Sequence, residues 1–191
     1  MGIIELILIA VGLSMDAFAV SVCTGLSLRK TTLVSMLIVG LYFGVFQAVM
    51  PLIGYFLGAR FADKITSFDH WIVFVLLCVI GGKMIVESFS REKCEFSAEG
   101  NSLGPAKMLP LAFATSIDAL AVGISFAFLN VAIVPAVISI GVITFLLSAT
   151  GIKIGGIFGL KFKAKAEIAG GVILILIGVK ILLEHLGILN L

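Results

Sequence analysis

The sequence predicts an all-α integral membrane protein with six transmembrane helices, arranged as two inverted repeats of three helices each. Three observations lead to this fold class. Hydrophobic residues make up 61% of the 191-residue chain and charged residues only 13%. Six long apolar stretches lie between charged breaks, and motifs of the first half recur in the second. A soluble core of this size could not bury so much apolar surface.

The six apolar stretches have the length that a membrane span requires, because a hydrocarbon core of about 30 Å needs about 20 residues of helix. They cover residues 3–26, 33–58, 71–89, 107–129, 131–158 and 167–189. The first contains Glu5 rather than a basic flank, so we interpret it as a retained helix and not a cleaved signal peptide. Only Asn130 separates the fourth and fifth stretches, which predicts a tight turn there.

One polar segment divides the chain into residues 1–89, 90–106 and 107–191. The middle segment is rich in charged residues, and its composition predicts a flexible linker between two halves. Lysines and arginines indicate the orientation. On the linker side lie Arg29, Lys30, Arg91, Lys93, Lys107, Lys161, Lys163 and Lys165, and on the other side Arg60 and Lys64. We therefore expect a cytoplasmic linker, with both termini outside.

The two halves share short motifs at nearly constant separations. Residues 14–20 match residues 116–122 at an offset of 102, and residues 80–87 match residues 177–184 at an offset of 97. Gly54, Gly58 and Phe61 match Gly155, Gly159 and Phe162 at an offset of 101. Since three helices per repeat is an odd number, the second repeat must enter the membrane from the opposite side. This predicts an inverted-topology repeat.

Asp16 and Asp118 occupy equivalent places near the middle of the first and fourth spans. A charged side chain there costs about 2.5–3.5 kcal/mol on the insertion scale. An inverted pseudo-axis would bring both carboxylates to a common midplane site suited to a divalent cation. The alternative is that each is protonated or paired with Lys83, Lys153 or Lys180 for structural purposes.

Several neutral oxygen donors accompany the aspartates. Ser14 and Ser116 each precede one by two residues and point off its helix face, unless the helix is broken locally; Thr115, three residues before the second aspartate, shares its face. Gln47 lies about one turn before Pro51, which leaves a backbone carbonyl free. We predict Gln47 to be a polar wall of a pathway, or else to form an interhelical hydrogen bond.

Two lysine–glutamate pairs occur at matching positions, Lys83 with Glu87 and Lys180 with Glu184. Their spacing of four residues lets each pair share a helix face. Each pair is interpreted as a gate or proton-coupling pair, or as a structural ion pair. Lys153 is a further candidate, because it could neutralise an aspartate when no substrate is bound and so let a cation leave.

The sequence lacks the motifs of several other classes of protein. It has no GxSxG, no HExxH and no P-loop, so we expect no enzyme and no cofactor. The net charge of +2 does not indicate a nucleic-acid partner. Three cysteines without CxxC or Cys/His spacing indicate neither a zinc site nor a disulfide framework.

Both aspartates lie in Ser-x-Asp-Ala motifs, within residues 12–21 and 114–123. Around them, the sequence resembles the bacterial manganese efflux pump (MntP) family over essentially the whole chain. Further segments that carry the resemblance are residues 43–47, 50–54, 81–85 and 166–171. The resemblance implies a six-helix inner-membrane exporter of Mn²⁺, distantly akin to lysine-type exporters. By position, Asp16 and Asp118 match the motif aspartates. Some members are acidic where this chain has Gln47, which leaves one fewer fixed negative charge.

The residues agree with that chemistry, since Mn²⁺ accepts carboxylate, carbonyl and water ligands. Without a nucleotide motif, transport would draw on an ion gradient or the membrane potential, and proton exchange at Asp16 or Asp118 is the simplest coupling. The expected partners are therefore a divalent metal ion as substrate and the lipid bilayer. Two other hypotheses stay open: an exporter of amino acids or small organic cations, and a membrane scaffold protein whose buried polar residues only lock helix packing.

Overall fold

The computed structural model describes residues 2–28, 30–62, 69–89, 103–158 and 161–186. All regular elements in these ranges are α-helices: α1 (Ile3–Ser27), α2 (Leu33–Ala62), α3 (Asp69–Phe89), α4 (Pro105–Thr115), α5 (Ile117–Phe128), α6 (Ile133–Phe158) and α7 (Lys161–His185). They provide six helices long and apolar enough to cross a membrane, with α4 and α5 together forming the fourth. The predicted all-helical, six-span class is confirmed. Most of the predicted linker lies outside the described residues.

The fourth span is broken in its middle, which the sequence did not predict. At Ser116, between α4 and α5, φ is −99° and ψ is 2°. Its amide donates to the Phe113 carbonyl at 3.1 Å, a tightened turn, and its hydroxyl lies 2.7 Å from the Ala112 carbonyl. Such side-chain bonds compete with the regular helix. The break places Asp118 in the first turn of α5, where the helix dipole favours a negative charge.

The turn predicted at Asn130 is present between α5 and α6. Asn130 has a φ of 51°, a left-handed conformation that asparagine tolerates better than most residues. The amide of Val131 closes the turn by donating to the Phe126 carbonyl at 3.0 Å. The two spans therefore run antiparallel with almost no connecting loop.

Each half of the chain packs mainly on the other half. Helix α1 packs against α6 and α7, and α5 packs against α2 and α3 in the corresponding way; α2 crosses α6, and α3 crosses α7. Exchange of the two halves maps these contacts onto one another, as two related three-helix units require. The inverted topology itself stays a prediction.

Glycines allow the closest of these crossings. A Cβ atom at Gly155 of α6 would lie 2.0 Å from the Val22 carbonyl oxygen of α1, and one at Gly54 of α2 would lie 2.0 Å from the Leu120 carbonyl oxygen of α5. Only a residue without a side chain lets the backbones approach so closely. These contacts hold the two aspartate-bearing helices, α1 and α5, in fixed positions.

One expectation about cysteine is wrong. Cys23 of α1 is disulfide-bonded, although the cysteine spacing did not indicate a disulfide. Spacing along the chain reports little about which thiols meet in space. Cys78 of α3 is a free thiol, and Cys94 lies outside the described residues.

Candidate functional site

The two intramembrane aspartates meet. Asp16 projects from the middle of α1 and Asp118 from the first turn of α5, and their carboxyl groups lie within hydrogen-bonding reach of one another. Asp118 is only 8% exposed. Two acidic side chains side by side within membrane spans are costly unless a positive charge accompanies them.

Lys83 of α3 supplies that positive charge. Its Nζ atom lies 3.4 Å from Oδ1 and 3.3 Å from Oδ2 of Asp118, and its charge also acts on Asp16. The same Nζ lies 3.9 Å from Oε1 of Glu87, one turn further along α3. Lys153 is exposed on α6 and is not among the charged neighbours of Asp16. Of the three lysines considered from the sequence, the structure brings Lys83 to the aspartates.

A cavity of about 310 Å³ opens beside this cluster. Its polar lining comprises Asp16, Lys83, Glu87, Thr115 and Glu167. These residues come from the final turns of α3, the end of α4, the beginning of α7 and the middle of α1. Glu87 and Glu167 lie toward the side of the membrane at which α3 ends and α4 begins. The cavity therefore leads from that side to Asp16.

Glu167 is a residue that the sequence reasoning missed. It lies in the second turn of α7 and is 5% exposed. In the sequence it marked the beginning of the sixth apolar stretch, but α7 begins six residues earlier, at Lys161. The carboxylate is therefore enclosed by the bundle instead of lying at its surface. Its place in the family-like segment at residues 166–171 was the available signal.

Gln47 does not line the cavity but joins three helices. Its Nε2 donates to the Leu13 carbonyl of α1 at 3.2 Å, and its Oε1 lies 2.9 Å from the Ser116 hydroxyl, which shares its one proton between Gln47 and the Ala112 carbonyl. Both side chains are fully buried. Of the two interpretations of Gln47, the structure shows the interhelical hydrogen bond, and it draws Ser116 into that bond as well.

Ser14 is likewise engaged between helices. Its hydroxyl donates to the Ala10 carbonyl at 2.6 Å and lies 2.7 Å from the Thr144 hydroxyl of α6. Because a serine hydroxyl carries one proton, Thr144 is the donor in the second bond. Thr115, by contrast, reaches the cavity wall while donating to the Leu111 carbonyl at 3.0 Å. Among the neutral ligand candidates, only Thr115 lies on the cavity.

Lys180 and Glu184 lie at the other end of the molecule. Lys180 forms ion pairs with Glu5 of α1 and, at 3.2 Å, with Glu184. Glu5 also accepts a hydrogen bond from the amide of Gly2 at 2.9 Å. This ion-pair network ties the beginning of α1 to the end of α7, eleven residues before Asp16 along the chain.

No group of three or more histidines, cysteines, aspartates or glutamates lies close enough to hold a metal ion among the residues that the structure describes. The Lys83 ammonium lies beside the acidic pair, and Glu87 and Glu167 line the same cavity. The arrangement therefore offers two adjacent carboxylates, a nearby hydroxyl and room for water. Mn²⁺ and Mg²⁺ accept such oxygen ligands.

Comparison with known proteins decides the family. The model of the family described as "Putative manganese efflux pump" matches residues 30–182. The chain belongs to this family. The resemblance seen in the two aspartate motifs is thereby confirmed. No solved structure matches the chain.

Members of this family match over nearly their full length. "Putative manganese efflux pump MntP" of Desulfitobacterium hafniense (strain Y51) is 61% identical over 190 residues, which cover 100% of this chain and 99% of the relative. The protein of the same name from Acetivibrio thermocellus is 55% identical, over 100% of this chain and 95% of the relative. That of Mannheimia succiniciproducens is 55% identical, over 97% and 98%.

Proposed function

We propose that the protein is a secondary transporter that exports Mn²⁺ across the bacterial inner membrane through a site built on Asp16 and Asp118. The observation that carries this proposal is the meeting of the two carboxyl groups beside a cavity within the membrane spans. The names of the relatives supply the metal and the direction. The donor chemistry agrees, since carboxylate, hydroxyl and water oxygens suit Mn²⁺.

The shape of the molecule supports alternating access with the cavity facing the cytoplasm. In the predicted orientation, Glu87 and Glu167 line an approach from the cytoplasm to Asp16. At the outer end, the ion-pair network of Lys180 with Glu5 and Glu184 closes the path. Export would require this network to open and the cytoplasmic cavity to close around the empty site. Proton exchange at the aspartates is the simplest coupling.

An organic substrate receives less support from the cavity. Its volume of about 310 Å³ lies at the lower end of the range of about 300–1,000 Å³ for small-molecule pockets. An amino acid would also need a cation for its carboxylate, but the cavity's Lys83 is already paired with Asp118. A hydrated divalent ion needs no such partner.

The test is Mn²⁺ uptake into inside-out vesicles, in which export appears as accumulation. Asp16→Asn and Asp118→Asn keep the side-chain shape and should each lower uptake by at least about tenfold, as loss of a metal ligand does. Thr150→Val is the matched control, because Thr150 is exposed on α6 and donates only to the Leu147 carbonyl.

Uptake by the wild type that persists in both aspartate variants would contradict the proposed site. An inactive wild type that instead accumulates lysine or another organic cation would establish the organic-substrate hypothesis. Imposing or collapsing a pH gradient in the same vesicles tests proton coupling separately, since the membrane potential can be clamped with potassium and valinomycin.

A further inference from the structure

We propose that Lys83 acts as a tethered stand-in for the transported cation: its ammonium occupies the aspartate site when no metal is bound, and this lets the empty carrier return. The inference rests on the proposed function, because it assigns a role at the same Asp16–Asp118 site. It names Lys83 as the residue that couples release of one ion to binding of the next.

The first argument is the position of the ammonium group. Nζ of Lys83 lies nearly equally far from both carboxylate oxygens of Asp118, at 3.3 and 3.4 Å. This is the bisecting position from which a metal ion would also contact both oxygens. Asp16 lies within hydrogen-bonding reach of Asp118, and the Lys83 charge acts on it as well. A divalent ion cannot bind the two oxygens of Asp118 while Lys83 stays, because the two cations would compete for the same oxygens and repel one another.

The second argument is that this contact is easily released. Charge-assisted N–H···O bonds are usually about 2.7–2.9 Å long, and the Lys83–Asp118 contacts are longer. The Lys83 side chain is 46% exposed and lines the cavity, whereas that of Asp118 is 11% exposed. A flexible, water-accessible stem can move without disturbing the packing of α3.

The third argument is that the displaced ammonium has somewhere to go. Oε1 of Glu87 already lies 3.9 Å from Nζ, and the side chain of Glu87 is also 46% exposed. Glu167 lines the same cavity from α7. When a metal ion takes the aspartates, Lys83 can turn to Glu87, which is already its neighbour on α3. The Lys83–Asp118 ion pair of the metal-free state is then replaced by a Lys83–Glu87 ion pair on the cavity wall.

The consequence concerns the return of the empty transporter. Two bare carboxylates that change exposure across a membrane carry uncompensated charge through a medium of low dielectric constant, which is costly. With Lys83 in place, part of that charge is compensated without metal. Lys180, the repeat-related lysine, is paired with Glu5 and Glu184 instead of Asp16, so this role falls to Lys83 in the observed conformation.

The experiment separates two fluxes of radioactive Mn²⁺ in proteoliposomes containing the purified full-length chain. Net efflux, from loaded vesicles into metal-free buffer, requires the empty carrier to return. Equilibrium exchange, with equal Mn²⁺ on both sides and tracer on one, does not. Lys83→Gln should lower net efflux by about tenfold or more while exchange stays within about threefold of wild type. Lys83→Arg should restore net efflux, and Thr150→Val, a change at an exposed position of α6, is the control, which should not separate the two fluxes.

A second readout is direct binding of Mn²⁺ in detergent, which a merely structural role would not improve. Removing the competing ammonium should tighten binding by Lys83→Gln by about fivefold or more. Weaker binding, or parallel loss of exchange and net efflux in a folded variant, would overturn the role of Lys83, as would unchanged net efflux. If Lys83→Gln does not fold, the same two fluxes are measured for Lys83→Met and compared with those of Lys83→Arg as the folded reference.

The two proposals fail in different ways. If wild-type exchange survives Asp16→Asn and Asp118→Asn, the aspartate site is wrong and Lys83 has no site to occupy. If both aspartate variants abolish exchange but Lys83→Gln behaves as wild type in both fluxes, the site stands and only the role of Lys83 is refuted.

Discussion

In the first half of the molecule Lys83 reaches the buried carboxylate of Asp118, whereas the equivalent lysine of the second half, Lys180, bonds Glu5 at the end of its span. Eleven residues separate Glu5 from Asp16, which is about 16 Å along a helix. The same lysine–glutamate pattern thus serves two different contacts. One places a positive charge beside the two buried aspartates, and the other joins the beginning of α1 to the end of α7.

The helix crossings around these contacts, which we call the shared frame, are much more alike in the two halves. Gly54 and Gly155 lie at matching positions, and each packs its backbone against a carbonyl of the aspartate-bearing helix of the other half. The halves therefore share their helix crossings and differ in their ion pairs. In a transporter with related halves, such a difference is expected of a single conformation, with one side open and the other closed.

The largest effect should come from breaking the shared frame. Gly54→Ala and Gly155→Ala would each place a Cβ atom 2.0 Å from a backbone carbonyl oxygen, and the backbone cannot yield as a side chain can. Overpacking of this kind costs about 3 kcal/mol or more at a rigid site. We expect loss of monodisperse protein on size-exclusion chromatography and a strongly lowered thermal midpoint in detergent.

Gly82→Ala is the control for that prediction, because a Cβ atom at Gly82 would meet nothing within 4 Å. Alanine also favours the helix by about 0.5–1 kcal/mol relative to glycine, so this variant should be as stable as wild type or slightly more so. Equal stability of all three variants would show that the crossings are looser than the structure indicates. Damage by only one of the first two would show that the halves do not share their frame.

The next effect concerns the buried amide that only the first half has. Gln47→Leu should destabilise the protein by about 1–3 kcal/mol, because the Leu13 carbonyl loses its side-chain donor and the Ser116 hydroxyl one acceptor within a buried site. Thermal unfolding in detergent measures this loss of stability. Gln47→Glu keeps the acceptor for Ser116 and removes the donor to Leu13, so the pair of variants apportions the two bonds. A Leu variant of wild-type stability would mean that neither bond stabilises the break in the fourth span.

A smaller effect should follow from loosening the closed end. Glu5→Gln weakens the network with Lys180 and should leave global stability nearly unchanged, as loss of an ion pair at helix ends usually does. It should shift the conformational equilibrium, however, because this network is absent once the far end opens. A cysteine introduced at Val20, on the cavity wall, should react more slowly with a membrane-impermeant maleimide applied from the linker side.

A shift of 1 kcal/mol changes the equilibrium constant between the two conformations about fivefold, and the labelling rate falls with the fraction of molecules whose cavity is open to the linker side. The parent chain without the added cysteine gives the background from the native cysteines, of which Cys78 is a free thiol. Faster or unchanged labelling in Glu5→Gln would mean that the Glu5–Lys180 contact does not close the far end, and that the difference between the halves is only structural.

The spans could be predicted from the sequence because span length and apolar content are local properties. The break at Ser116 could not, since no glycine marks it and the nearest proline, Pro110, is six residues away. It depends on the acceptor that Gln47 provides from α2, which is a tertiary contact. The repeat pattern did identify Asp16 and Asp118 as equivalent, and the structure places them together.

The ion-pair partners were beyond sequence reasoning for the same physical reason. A spacing of four residues places Glu87 beside Lys83, but the choice between Lys83, Lys153 and Lys180 for the aspartates depends on how helices pack. The packing of α3 beside α5 brings Lys83 to Asp118. Glu167 was missed because a charged residue at the edge of an apolar stretch is normally taken as the end of the membrane span. In the structure, α7 begins before Glu167.

The smallest effect is expected where the second half lacks the polar link of the first. Ser148 stands at the position equivalent to Gln47, and its hydroxyl is fully buried without a hydrogen-bond partner. Removing a buried hydroxyl that bonds nothing is nearly neutral or stabilising, so Ser148→Ala should match or slightly exceed wild type in thermal midpoint and in Mn²⁺ uptake. A fall of about 1 kcal/mol or more would reveal a partner for Ser148, a bound water or an ion, and the polar link at Gln47 would then have a counterpart in the second half. If Ser148→Ala has no effect, then of the two equivalent positions only Gln47 binds neighbouring helices. The two halves would then differ in their polar contacts between helices as well as in the partners of their lysines.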